Sequence, residues 1–185
     1  MKSYFKIFGL TALTIALLSG CMIKQTSPQT ISGNNSIQKV EAVTTASIVD
    51  DAQAVIDGLS SEGVWLVCTL NDIVTDREIV VEGEFHDKGD DSKRIYRKLA
   101  LCTQDEDHKI IQSFNLTAPK MTVKSENFRI HGGTFIGDVY VEAKGFIVSK
   151  ETKVEGNIYF ASQEIMDSFV LEETGEITGK KELVK

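Results

Sequence analysis

Gly137-Asp138-Val139-Tyr140-Val141 returns nineteen residues later as Gly156-Asn157-Ile158-Tyr159-Phe160, and this pair of stretches decides the fold. In each copy a glycine, an aliphatic residue and a closing apolar residue alternate with Asp or Asn and then Tyr. That is the period-two pattern of a strand burying one face. Stacked like on like, the copies put Val139 with Ile158 and Val141 with Phe160 inside, and leave Asp138, Tyr140, Asn157 and Tyr159 outside. A repeat of about twenty residues predicts a solenoid, because one such coil cannot bury its apolar face except against the next.

Working outward, Phe128-x-Ile130, Phe146-x-Val148 and Phe169-x-Leu171 recur between the longer strands, so short and long strands alternate as a three-faced coil requires. The β-branched and aromatic content predicts strands over 64–70, 78–85, 96–102, 110–116, 120–123, 128–131, 134–141, 145–148, 153–160, 168–171 and 176–178. Hairpin dipeptides of the Asn-Gly or Asp-Gly kind are absent. The expected class is all-β: a short right-handed parallel β-helix, with an antiparallel β-sandwich as the alternative. Ser47 reads as an N-cap, with Asp50 and Asp51 in the first turn and Ile48, Val49, Ala52, Val55, Ile56 and Leu59 at helical spacing. That helix would cap the first coil.

The amino terminus carries Lys2 and Lys6 and then an apolar run, Ile7 to Leu18, about half the length that spans a bilayer. Leu18-Ser19-Gly20-Cys21 follows, and these four residues resemble the lipobox of bacterial lipoproteins. The resemblance implies cleavage before Cys21, a diacylglyceryl thioether on it, and a lipid-anchored protein on the extracytoplasmic side of the bacterial cell membrane. The expected organisation is a signal peptide over 1–20, a lipidated flexible tether over 21–46 rich in Ser, Thr, Gln and Asn, and a single β-rich domain over 47–185. Such a tether would hold the domain on average about 25 to 30 Å from the lipid. Removing 1–20 takes away two positive charges and no negative ones, so the net charge moves from -7 to -9. An acidic surface repels phosphates, which argues against nucleic acid and against anionic headgroups as partners and leaves the lipid anchor as the membrane contact.

The carboxy-terminal half resembles the bactofilin, or polymer-forming cytoskeletal, proteins of bacteria. The resemblance rests on 132–141, on 153–160 and on Gly175-Glu176-Ile177-Thr178-Gly179 as a worn third copy. It implies right-handed β-helix coils and self-association through terminal coils. The export segment and residues 47–127 have no counterpart in that pattern.

Chemistry-bearing motifs are sparse. His86, His108 and His131 lie more than twenty residues apart with no ligand spacing, which predicts surface histidines and no metal site. Asp87, Asp90 and Asp91, and then Asp105, Glu106 and Asp107, read as solvated turns beside strands. Cys68 and Cys102 each sit in an apolar run, where a disulfide and a pair of buried thiols are both open readings. No nucleophile elbow, phosphate loop or dinucleotide fingerprint occurs, so neither a cofactor nor an enzymatic activity is expected. The leading expectation is a non-enzymatic structural or assembly protein of the cell envelope. One alternative is a glycan-binding module using Tyr140, Tyr159, Asp138 and Asn157 as its ligand face. A polysaccharide-cleaving β-helix enzyme is the other.

Overall fold

A computed structural model describes residues 46–184, all within one compact unit. The expectations for 1–20, for Cys21 and for all of 21–46 except Ala46 lie outside the described residues. In chain order the first elements are β1 (Ser47–Val49), α1 (Ala52–Leu59), β2 (Leu66–Thr69), β3 (Ile73–Val74), β4 (Ile79–Val81), a 3-10 turn at Asp87–Gly89, β5 (Arg97–Ala100), β6 (Cys102–Gln104) and β7 (Ile110–Ser113). There follow β8 (Asn115–Val123), β9 (Phe128–His131), β10 (Gly133–Val141), β11 (Ile147–Val148), β12 (Thr152–Glu155), β13 (Ile158–Phe160), α2 (Gln163–Asp167), β14 (Val170–Leu171), β15 (Glu176–Ile177) and β16 (Lys181–Leu183).

The protein is all-β with parallel sheets. One sheet has the order β1-β2-β5-β9-β11-β14; after β2, β9, β11 and β14 the chain crosses directly to place the next one or two strands in the second sheet, and after β5 it does so by way of β6 and β7. There β8 and β10 are single strands of nine residues, each spanning what the other turns divide into two: β3 and β4, β12 and β13, β15 and β16. Every pairing between named strands of the two large sheets is parallel, which sets aside the antiparallel sandwich. The antiparallel strand pair is β6 with β7, a hairpin that projects from the repeat.

Register explains the core. Val67, Leu99, Ile130, Val148 and Leu171 stand in one line, and Ile73, Leu116, Phe135, Val154 and Ile177 in a second. Ile79, Met121, Val139, Ile158 and Lys181 form a third, with Val81, Val123, Val141, Phe160 and Leu183 beside it. All of these except the members from β14, β15 and β16 are buried, so each strand finishes the burial of the one before it in its sheet. Phe128, Phe146 and Phe169 stack along the same direction, with centroids 6.1 and 5.7 Å apart.

The glycine of the repeat has a steric origin. A Cβ on Gly137 would lie 1.9 Å from the Ala118 carbonyl oxygen, one on Gly156 would lie 2.0 Å from that of Gly137, and one on Gly179 would lie 2.3 Å from that of Gly156. Backbones therefore touch at this bend, and only a residue without a side chain fits. In β8 the same bend holds Ala118 and Pro119 opposite Gly137, where the register shifts. The missing N–H of Pro119 falls in that bulge, so β8 runs on through 117–119, where the pattern had predicted a break.

Three other local expectations are corrected. Ser47 is not a helix N-cap: it begins β1, pairing with Val67, because Ser-Ile-Val adds a β-branched edge to β2. Asp51 caps α1 instead, accepting the Ala54 N–H at 2.9 Å. Residues 110–113 belong to the hairpin, whose turn is held by the Asp105 carboxylate accepting the N–H groups of Asp107 and Lys109. Val55 and Leu59 bury the inner face of α1, which rests on β2 and β4.

Candidate functional site

The outer face of the second sheet carries the predicted ligand residues. Tyr140 and Tyr159 are opposite each other in register, their rings 4.8 Å apart at 31°. Thr122 precedes them in that row and Glu182 follows. The ammonium of Lys120, on β8, sits 4.6 Å from the centre of the Tyr140 ring and pairs with Glu78 at 3.1 Å. Since β8 and β13 flank β10 on opposite sides, Lys120 and Tyr159 cover the two faces of Tyr140. A sugar packs on an open ring face, and Tyr140 offers chiefly its edge. Beside this row lies a shallow depression of about 370 Å³ lined by Tyr140, Val141, Glu142, Ala161 and Val184.

Asp138 and Asn157 are turned to the neighbouring pass of the chain. The Asp138 carboxylate accepts the backbone N–H of Asn157 at 2.8 Å and its side-chain amide at 3.2 Å, and Asn157 Oδ1 accepts the N–H of Lys180 at 3.0 Å. Asp72 does the same for the N–H of Asn115 at 2.7 Å. These side chains bridge the backbones of successive turns.

The first sheet assembles a group that the sequence did not announce. Gln104 donates to the His108 carbonyl at 2.8 Å, which fixes its amide nitrogen, and the same nitrogen lies 3.1 Å from His131 Nε2. That ring nitrogen therefore accepts and Nδ1 carries the proton, which it donates to Ser149 Oγ at 3.1 Å. Ser149, buried, donates onward to Glu172 at 3.2 Å, while Arg129 donates to Ser149 at 2.9 Å and to Glu172 at 2.8 Å. Burial, with Lys98 and Arg129 nearby, pushes the His131 imidazole down to about 4. Burial alone would raise the Glu172 carboxyl, but the Lys150 N–H and the Arg129 guanidinium hold it below its usual range. In this arrangement the imidazole donates to the serine and does not accept its proton, and the hydrogen bonds link residues from separate passes of the chain.

Cys68 and Cys102 are free thiols in this structure, one of the two readings the sequence left open. Cys68 is registered against Ala100, two positions short of Cys102, and the Cys102 thiol points to the His131 carbonyl at 3.6 Å. Burial raises both thiols, leaving little thiolate at neutral pH. Of the other histidines, His108 is exposed, while His86 is half-buried with Nδ1 2.7 Å from the Lys93 carbonyl oxygen. Among the described residues no cluster of three His, Cys, Asp or Glu side chains is placed to hold a metal.

Arg97 was also missed. It is 1% exposed and donates to the carbonyls of Gly58, Ser60, Val64 and Glu82 and to Ser125 Oγ, with its guanidinium 4.1 Å from the Phe85 ring centre. It thereby joins the carboxy-terminal end of α1 to the loop after β4, a favourable place for a cation. Burial lowers its pKa to about 9, so it stays charged at neutral pH. Comparisons of the chain with protein-family models, with curated proteins and with solved structures found no match.

Proposed function

We propose that this chain is a lipid-anchored, extracytoplasmic, non-enzymatic structural module of the cell envelope. Its folded part is a short right-handed parallel β-helix, with α1 as the amino-terminal cap. The fold reading is supported by strands that alternate between two parallel sheets and recur in register, and by α1 lying over β2 and β4 where a further coil would stack. The observation carrying the functional reading is the use of the polar side chains. Asp138, Asn157, His131, Ser149 and Glu172 all spend their hydrogen bonds holding one coil to the next. The anchor follows from the lipobox-like residues ending in Cys21. Metabolic labelling with a radioactive fatty acid is expected to mark the wild-type chain and not Cys21→Ala, and label persisting in the variant contradicts the anchor.

A glycan-binding role is the second reading, favoured by the depression beside Tyr140. Binding on a glycan array that disappears in the double variant Tyr140→Ala, Tyr159→Ala would support it. No binding, or binding that survives, removes that face.

A further inference from the structure

The first sheet is open along β1. Peptide groups alternate in direction along a strand, and the Lys98 N–H bonds to the Trp65 carbonyl at 2.8 Å, so Trp65 and Val67 face β5. Cys68 then faces β1, between Ser47 and Val49, and the Ile48 N–H and C=O point away from β2. Among the described residues no strand pairs with that edge. The Ile48 side chain is 68% exposed and Leu70, two residues past its partner Cys68, is 48% exposed. Ser47-Ile48-Val49 has neither the lysine nor the proline that guards a free edge. Val74 of β3, 74% exposed, also turns its peptide groups outward, since it is the Thr75 N–H that bonds to Thr117, at 2.9 Å. The end of α1 closes β4, its Leu59 carbonyl accepting the Glu82 N–H at 3.1 Å, and leaves both flanking edges free.

The rim of the β1 edge is acidic. Asp50 follows β1 directly, Asp51 caps α1, and Asn71 donates to the carbonyls of Asp50 and Asp72 at 3.1 and 3.2 Å, which gathers the three aspartates. All three are exposed, and among the described residues none has a cation as partner. We propose that the outer edge of β1 is a docking site for an extended segment of another protein, one in which apolar residues alternate with Lys or Arg. The free N–H and C=O of Ile48 take a peptide backbone as one more strand. Ile48 and Leu70 take the apolar side chains on one face of that strand. Asp50, Asp51 and Asp72 take its cations and reject an acidic strand. A second copy of this chain meeting edge to edge would set these carboxylates against their own kind, and an anionic lipid surface is repelled in the same way.

The test uses the full chain in a mild detergent and two synthetic octapeptides, one alternating Lys with Val and one alternating Glu with Val. Binding is read by fluorescence anisotropy of the labelled peptide, and amide exchange by nuclear magnetic resonance. The Lys-Val peptide is expected to bind and to slow exchange of the Ile48 N–H, and the Glu-Val peptide to do neither. Ile48→Pro removes that outward N–H and keeps the bonds of Ser47 and Val49 to β2, so it should weaken binding about tenfold while the Cys68 N–H stays protected. Asp50→Asn, whose carboxylate has no hydrogen-bond partner to lose, should weaken it about threefold. No binding, equal binding of both peptides, or an Ile48 N–H that the Lys-Val peptide does not slow overturns the proposal, and the last decides it even where Ile48→Pro frees β1. An Ile48 N–H already protected without peptide overturns it too, and light scattering then tells a second copy, by its doubled mass, from the chain's own preceding residues.

Discussion

Asp138 and Asn157 stand side by side across the second sheet, and the carboxylate of the first accepts the backbone N–H and the side-chain amide of the second, at 2.8 and 3.2 Å. Asp138 thus ties two neighbouring passes of the chain together. Asp138→Ala should destabilise the fold by about 1 to 2 kcal/mol, leaving the Asn157 N–H without its acceptor, and Asp138→Asn should recover part of that. Urea unfolding followed by circular dichroism measures both.

Gly156 should tolerate no side chain. Its Cβ would sit 2.0 Å from the Gly137 oxygen, so the two backbones must part to admit it. Gly156→Ala is expected to cost about 3 kcal/mol or more, at the upper end of single substitutions. An alanine that leaves the thermal midpoint unchanged would contradict the backbone contact.

Arg97→Met keeps much of the side-chain volume and removes every donor. Carbonyls of Gly58, Ser60, Val64 and Glu82 then lose a buried partner, and the expected loss is about 3 to 5 kcal/mol. Amides of α1 should exchange faster than those of β10, since the helix loses its clasp first.

His131 gives the fold an acid-side weakness. Its folded pKa is about 4, below the usual 6.5, so as pH falls the unfolded chain binds the proton first. Stability contributed by the neutral ring is full above pH 6.5, declines between 6.5 and 4, and is gone below that window. The decline should be about 1 to 3 kcal/mol. His131→Gln should flatten this part of the stability profile.

Both cysteines of the folded part should titrate as thiols. After denaturation without reductant, Cys68 and Cys102 are expected to react with a thiol reagent, and adding reductant beforehand should not shift the unfolding midpoint. A midpoint that drops with reductant would mean that a disulfide had been broken.

The carboxy-terminal strand pairing was legible because nothing interrupts the repeat. Val139 to Ile158 and Phe135 to Val154 are each nineteen positions apart, and like residues meet. Before them, the loop at 82–96 and the β6–β7 hairpin stretch the spacing, so Ile73 meets Leu116 from forty-three positions away and no period survives. The glycine line also fades there, with Ala118 holding the place of the glycine. Side chains explain the other gaps. Arg97 and Lys181 are charges at inward positions, which a period-two reading assigns to the outside. Gln104, His131, Ser149 and Glu172 come from separate passes of the chain and carry no shared motif.

Strand direction at the repeat tests the account most directly. Nuclear Overhauser contacts between backbone protons should join Val139 to Ile158 and Val141 to Phe160, the order of a parallel pair about Tyr140 and Tyr159. Contacts joining Val139 to Phe160 and Val141 to Ile158 would make the pair antiparallel and contradict the stacked coils.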